Sequence, residues 1–215
     1  MPGDGGATPG ALSVQRVPSP CPPPPAPPPN NHPPEPSMSD LSQAFVDYSR
    51  TFLLQEFFPR IRGAVEQLPA EDLWWRPNEA SNSVGNLILH LSGNVRQWIV
   101  SGVGGRPDDR ERQREFDHRD PLPADQVLAR LEGTLREADE VLAALGGSDL
   151  LAPRTIQGRE TTILGAIYHV VEHFSMHTGQ IAYIAKLRLG SDLGFYRMVD
   201  GVARPAWERP DGPLG

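Results

Sequence analysis

Four histidines carry most of the chemistry this sequence offers. His169, His173 and His177 recur at a spacing of four within TTILGAIYHVVEHFSMHTGQIAYIAKLRL, residues 161–189. A helix turns by about 100° per residue, so a step of four returns a side chain to nearly the same face. Three imidazoles then form one stripe, with Ile163, Ile167, Val170, Phe174, Ile181 and Ile184 on and beside it. His90 stands in a second apolar stretch, NLILHLSGN. Imidazoles among core positions are either hydrogen-bonded core groups or part of a metal site. Two from one helix and one from another supply three nitrogens to a divalent ion and leave a coordination position open. The stripe drifts by about 40° at each step of four. His169 therefore reads as a hydrogen-bonded core residue, with a ligand role as the alternative.

Other polar groups lie near these faces. Asn86, Asn94 and Gln97 share roughly the face of His90, so they either fix its ring or bond each other. Glu172 is about 100° around the helix from His173 and reads as a solvated or ion-paired group. His118 sits among charges in GGRPDDRERQREFDHRDP and reads as a surface residue. Trp74 and Trp75 either line a pocket mouth or anchor a loop. Cys21 is the single cysteine, so no disulfide within the chain is available. That suits a reducing, cytoplasmic setting.

Positioning these groups requires helices, and the apolar spacing supplies four. The first, capped by Ser39 or Asp40 and running to about residue 68, has Leu41, Phe45, Tyr48, Phe52, Leu53, Phe57, Ile61 and Val65 at helical period. Pro59 should bend or break it. The second is capped by Asn82 or Ser83 and ends near Val100. A charged loop over 104–121 follows. The third covers about 124–145, closed by Gly146-Gly147. The fourth is the histidine-bearing segment, closed by Gly190. No stretch reads as a convincing strand. The expectation is an all-α four-helix bundle. A loop of about 20 residues between helices two and three can cross the bundle, giving an up-down-down-up order.

The ends differ from this middle. Fourteen of the 24 prolines fall in residues 1–37. Such a segment cannot bury a core and is expected to be disordered or polyproline-like. MSDLSQAF from Met38 resembles a fresh protein start, so the tail before it reads as a mis-called extension. Residues 191–215 are expected to be irregular, with Phe195, Tyr196 and Trp207 packing on the bundle or on a second subunit. The net charge of −7 gives no basic footprint for nucleic acid. No apolar run approaches the roughly 20 residues that span a bilayer. Lys186 is the only lysine, which suggests a GC-rich, bacterial coding sequence.

SNSVGNLILHLSGN and HVVEHFSMHTGQI together resemble the DinB-like superfamily, in particular a subgroup without an assigned reaction. The resemblance covers about residues 40–190. It implies the crossed-over bundle and a divalent metal, zinc or nickel, held by His90, His173 and His177. Asn86, Asn94, Gln180 and His169 become candidates for supporting or pocket roles. Some members use a low-molecular-weight thiol such as bacillithiol, mycothiol or glutathione in transfer or isomerisation. A thiol arriving at the open metal position would be deprotonated and could attack an electrophilic small-molecule substrate. The alternative is a metal-binding or stress-response protein without turnover. A homodimer is also implied.

Overall fold

The structure is a computed structural model and describes residue 3 and residues 37–145 and 150–208. Ser37 opens the first helix: its hydroxyl accepts the Asp40 N–H, while the Asp40 carboxylate accepts the Ser37 N–H. This reciprocal capping box sets the start a little earlier than a cap at Ser39 or Asp40 would. Met38–Thr51, Phe52–Phe57 and Phe58–Val65 follow without a break and together form α1. The middle piece is π-helical and immediately precedes Pro59. In an α-helix the Gln55 carbonyl would bond the N–H of residue 59, which proline lacks. The Trp207 indole N–H donates to that carbonyl instead, at 2.8 Å. The helix is therefore re-wound at the proline and is not broken.

A short helix, α2 (Ala70–Leu73), precedes α3, which joins Val84–Val95 to a π-helical Arg96–Val103. Ser83 caps α3 in a second capping box, with Asn86. Every residue of Val84–Val95 is buried, so this part of α3 has no solvent face. A short helix, α4 (Arg112–Asp117), interrupts the charged loop. Then come α5 (Ala124–Leu145), strands β1 (Pro153–Ile156) and β2 (Arg159–Thr162), and α6 (Ile163–Leu189). The hydroxyl of Thr162 accepts the Gly165 N–H to cap α6, and Gly190, at φ 67°, ends it. Strands β3 (Tyr196–Val199) and β4 (Val202–Pro205) follow.

The described residues are thus mostly helical, with six helices and two small antiparallel sheets among them, and the all-α expectation is corrected. Both hairpins turn on two residues with positive φ, Gln157-Gly158 and Asp200-Gly201. That is the primed turn whose twist matches paired strands. Residues 191–208, expected to be irregular, contain the second hairpin. The proline-rich reading of 1–37, apart from Gly3 and Ser37, lies outside the described residues. So do Cys21, the Gly146-Gly147 stop and residues 209–215.

One core collects Ile61 from α1, Leu91 and Ile99 from α3, Leu131 and Leu135 from α5, and Ile167, Phe174 and Ile181 from α6. Contacts give the helix directions. Arg50 meets Asp139 and Arg62 meets Glu132, so α1 and α5 run opposite ways. Ser92 meets Thr134 and Arg96 meets Glu137, so α3 and α5 run the same way. His90 meets His173 while Asn94 meets His169, so α3 and α6 are antiparallel. Among the described residues, no helix is long and apolar enough to cross a membrane.

Candidate metal centre

Where α3 crosses α6, three imidazoles face one another. His90 comes from the middle of α3, and His173 and His177 from adjacent turns of α6. The ring centroids lie 4.9 Å (His90–His173), 5.2 Å (His90–His177) and 4.4 Å (His173–His177) apart. One ligand nitrogen from each lies within 4.8 Å of the other two. The Nε2 atoms of His90 and His173 are 2.9 Å apart. His90 and His177 are buried, and His173 is partly open to solvent.

The outer partners decide which nitrogens face inward. His90 Nδ1 lies 2.8 Å from Glu115 Oε2. An ionised carboxylate only accepts, so Nδ1 carries the proton and Nε2 presents its lone pair. His177 Nδ1 lies 2.7 Å from Gln180 Oε1. The amide oxygen likewise accepts a hydrogen bond from Nδ1–H, which leaves Nε2 as an acceptor. That Nε2 is buried and has no hydrogen-bond partner. A buried acceptor without a partner carries a desolvation cost, and a cation placed among the three rings would remove it. Between His90 and His173, one proton on His173 Nε2 satisfies the pair; a metal ion would take its place. The residues present therefore fit a divalent ion held by three neutral nitrogens.

Burial disfavours the protonated form of both α6 imidazoles of the cluster. Burial pushes His173 down to about 3, with His177, His90 and His169 adding to the shift. Burial likewise lowers His177, against an opposing hydrogen bond from Gln180. Behind His90, Glu115 forms a bidentate pair with Arg110, at 2.7 Å to Nε and 2.9 Å to Nη2. Burial raises the Glu115 carboxyl, but hydrogen bonds from Arg110 and His90 outweigh it and hold the group below its usual range.

The remaining sequence candidates fall around this centre. Gln180 supports His177 directly. Asn86 does not touch a histidine of the cluster: its Nδ2 donates to the Glu115 and His118 carbonyls and so pins α4 to α3. Asn94 lies 3.2 Å from His169 Nε2, and His169 packs against Trp98, outside the cluster of three. Glu172 is exposed. His118 is partly buried against Trp74 rather than on the surface. The Trp74 indole donates to the Leu122 carbonyl, and Arg188 lies over Trp75, so both tryptophans hold loops in place. Sequence reasoning missed Arg110 and Glu115, which were read as loop charges. One signal was present: Gly93, a glycine inside a buried helix, marks a close approach, and Glu115 makes it.

A model of a protein family described as a protein of unknown function, DUF1572, matches residues 40–196. No curated protein matches the chain.

Proposed function

The chain belongs to the DUF1572 family, a DinB-like family, and on that premise we propose that it binds one divalent metal ion through His90, His173 and His177. The observation that carries this reading is the partnerless Nε2 of buried His177, facing two further imidazoles. Three neutral nitrogens suit a borderline ion, zinc or nickel, better than the oxygen-seeking magnesium or calcium. The helix directions and the family favour a four-helix bundle in up-down-down-up order as the frame, with the two hairpins appended.

When bound, such an ion with an open position acidifies a water or thiol placed there. The chain's own groups do the rest. Glu115 and Gln180 orient two rings through their Nδ1 protons. The apolar walls of α3 and α6 limit water around His90 and His177. Partly open His173 marks the side from which a small molecule can enter. The reaction we propose is transfer of a small thiol to an electrophilic carbon: the S–H bond breaks with its proton lost to solvent, an S–C bond forms, and the bond to the substrate's leaving group breaks, the leaving group departing with the electron pair.

Metal binding without turnover is the second reading. It is favoured by the deep burial of His90 and His177. It is also favoured by the position of a cavity of about 630 Å³ between α1 and the β3–β4 hairpin, which none of the three histidines lines. The test is metal analysis of the purified protein followed by a screen of thiols against electrophiles. Metal-dependent conjugation that disappears in His173→Ala supports the transferase. One bound metal with no conjugation leaves the binding protein, and no divalent metal bound removes both readings.

A further inference from the structure

We infer that Glu115 is a positioning residue that selects the Nδ1–H tautomer of His90, with Arg110 holding its carboxylate and Gly93 leaving room for it. The inference rests on the metal centre proposed above and assigns a role to residues outside it.

A neutral imidazole can carry its proton on either nitrogen, and only one form offers Nε2 as a donor to a metal. Glu115 Oε2, 2.8 Å from His90 Nδ1, removes the choice. The carboxylate cannot turn away, because Arg110 Nε and Nη2 grip both of its oxygens at 2.7 and 2.9 Å. Arg110 Nη2 is also 3.2 Å from His90 Nδ1. A nitrogen with a lone pair there would accept from Arg110, whereas the protonated nitrogen is oriented by the carboxylate; the shorter contact is the one to Glu115. Arg110 is held in turn by the Gln97 side-chain oxygen at 2.9 Å. The backbone of α4 is fixed by Asn86, which bonds the Glu115 carbonyl at 2.8 Å.

Gly93 makes the arrangement specific. A Cβ built there would lie 1.9 Å from Glu115 Oε1 and 2.9 Å from Arg110 Nε. Glycine weakens the interior of a helix, and this one lies on the turn after His90. The position thus gives up helix stability for contact between a carboxylate and the helix surface. A carboxylate set behind a metal-binding histidine fixes ring orientation and raises ligand basicity, and losing it costs about 10–100-fold in metal affinity.

The first arm of the test needs no variant. Long-range ¹H–¹⁵N correlation spectra of the metal-free wild-type protein near pH 7 report the tautomer of each histidine. His90 protonated on Nδ1 supports the inference, and His90 protonated on Nε2 overturns it. The second arm titrates Zn²⁺ into Glu115→Gln and Gly93→Ala, with folding checked by circular dichroism. A glutamine facing Arg110 must set one amide N–H against a guanidinium N–H, so neither tautomer is enforced. Gly93→Ala moves the carboxylate without changing its chemistry. Both variants are expected to show mixed His90 tautomers and Zn²⁺ affinity lower by about 10–100-fold. Folded variants with the wild-type tautomer and affinity overturn the inference. If neither variant folds, the wild-type tautomer alone decides it. A wild-type protein with the expected tautomer but no affinity for Zn²⁺ would remove the metal centre and leave the assigned tautomer standing.

Discussion

Glu115→Ala is the substitution whose cost follows most directly from this structure. The Arg110 side chain is 3% exposed and that of Glu115 is 8% exposed. Removing the carboxylate leaves a guanidinium buried, held by the Gln97 side-chain oxygen at 2.9 Å but with no charge to balance it there. Breaking a buried pair from one side costs about 3–5 kcal/mol, because the surviving charge is uncompensated. His90 Nδ1–H also loses its acceptor, a further cost of roughly 1 kcal/mol or more for a buried donor. Total stability for a domain is about 5–15 kcal/mol, so the single change removes a large share of it. The double variant Arg110→Met, Glu115→Gln separates charge from shape. It removes both charges, keeps similar volumes and retains an oxygen for His90. It is expected to lie within about 1 kcal/mol of wild type. The assay is urea unfolding of metal-free protein in chelator, with unchanged m-values as the check that the unfolded states are comparable. If Glu115→Ala costs less than about 1 kcal/mol, or the double variant is worse than the single, the pair does not do what its burial implies.

Three further outcomes are expected. Burial lowers His173 to about 3 and depresses His177 and His169. Their unfolded values lie near 6.5, so below that pH the unfolded chain takes up more protons. Stability of the metal-free protein is then fully present above about pH 6.5 and is lost progressively toward about pH 3; a flat urea midpoint from pH 7 to pH 5 would refute this. In Gly85→Ala the new methyl would meet three atoms of the Trp74 ring at 2.7–2.8 Å. It should destabilise by about 1–3 kcal/mol and shift the tryptophan fluorescence, and an unperturbed melt and spectrum would contradict the contact. Trp207→Phe withdraws the N–H that serves the Gln55 carbonyl beside Pro59. It should cost about 0.5–1.5 kcal/mol in thermal unfolding, and a neutral effect would mean that water serves the carbonyl equally well.

The sequence made the histidines legible because their spacing is local. Residues 173 and 177 must share a helix face, and His90 lies in a stretch apolar enough to be buried on every side. Their convergence still depended on how α3 meets α6, which the resemblance supplied and local spacing did not. Glu115 was not legible, since its approach to His90 is decided by how the charged segment 104–121 folds over α3. Asp200-Gly201 between Val199 and Val202 is a strong hairpin signal that the glycine- and proline-rich surroundings obscured. Gln157-Gly158 is harder to see, because glutamine at a positive φ is uncommon. Pro59 correctly marked a disturbance in α1. Its form, a π-helical stretch bonded to a residue near the other end of the chain, depends on Trp207 and is not local information.

The central claim is most directly tested by X-ray absorption on protein loaded with one equivalent of Zn²⁺, recorded for wild type and for His90→Ala, His173→Ala, His177→Ala and His169→Ala. The account predicts a first shell containing three imidazole nitrogens at about 2.0–2.1 Å, lost or reduced by one in each of the first three variants and unchanged in His169→Ala. A shell without three imidazoles, or a wild-type spectrum retained when His90 or His173 is removed, would contradict it.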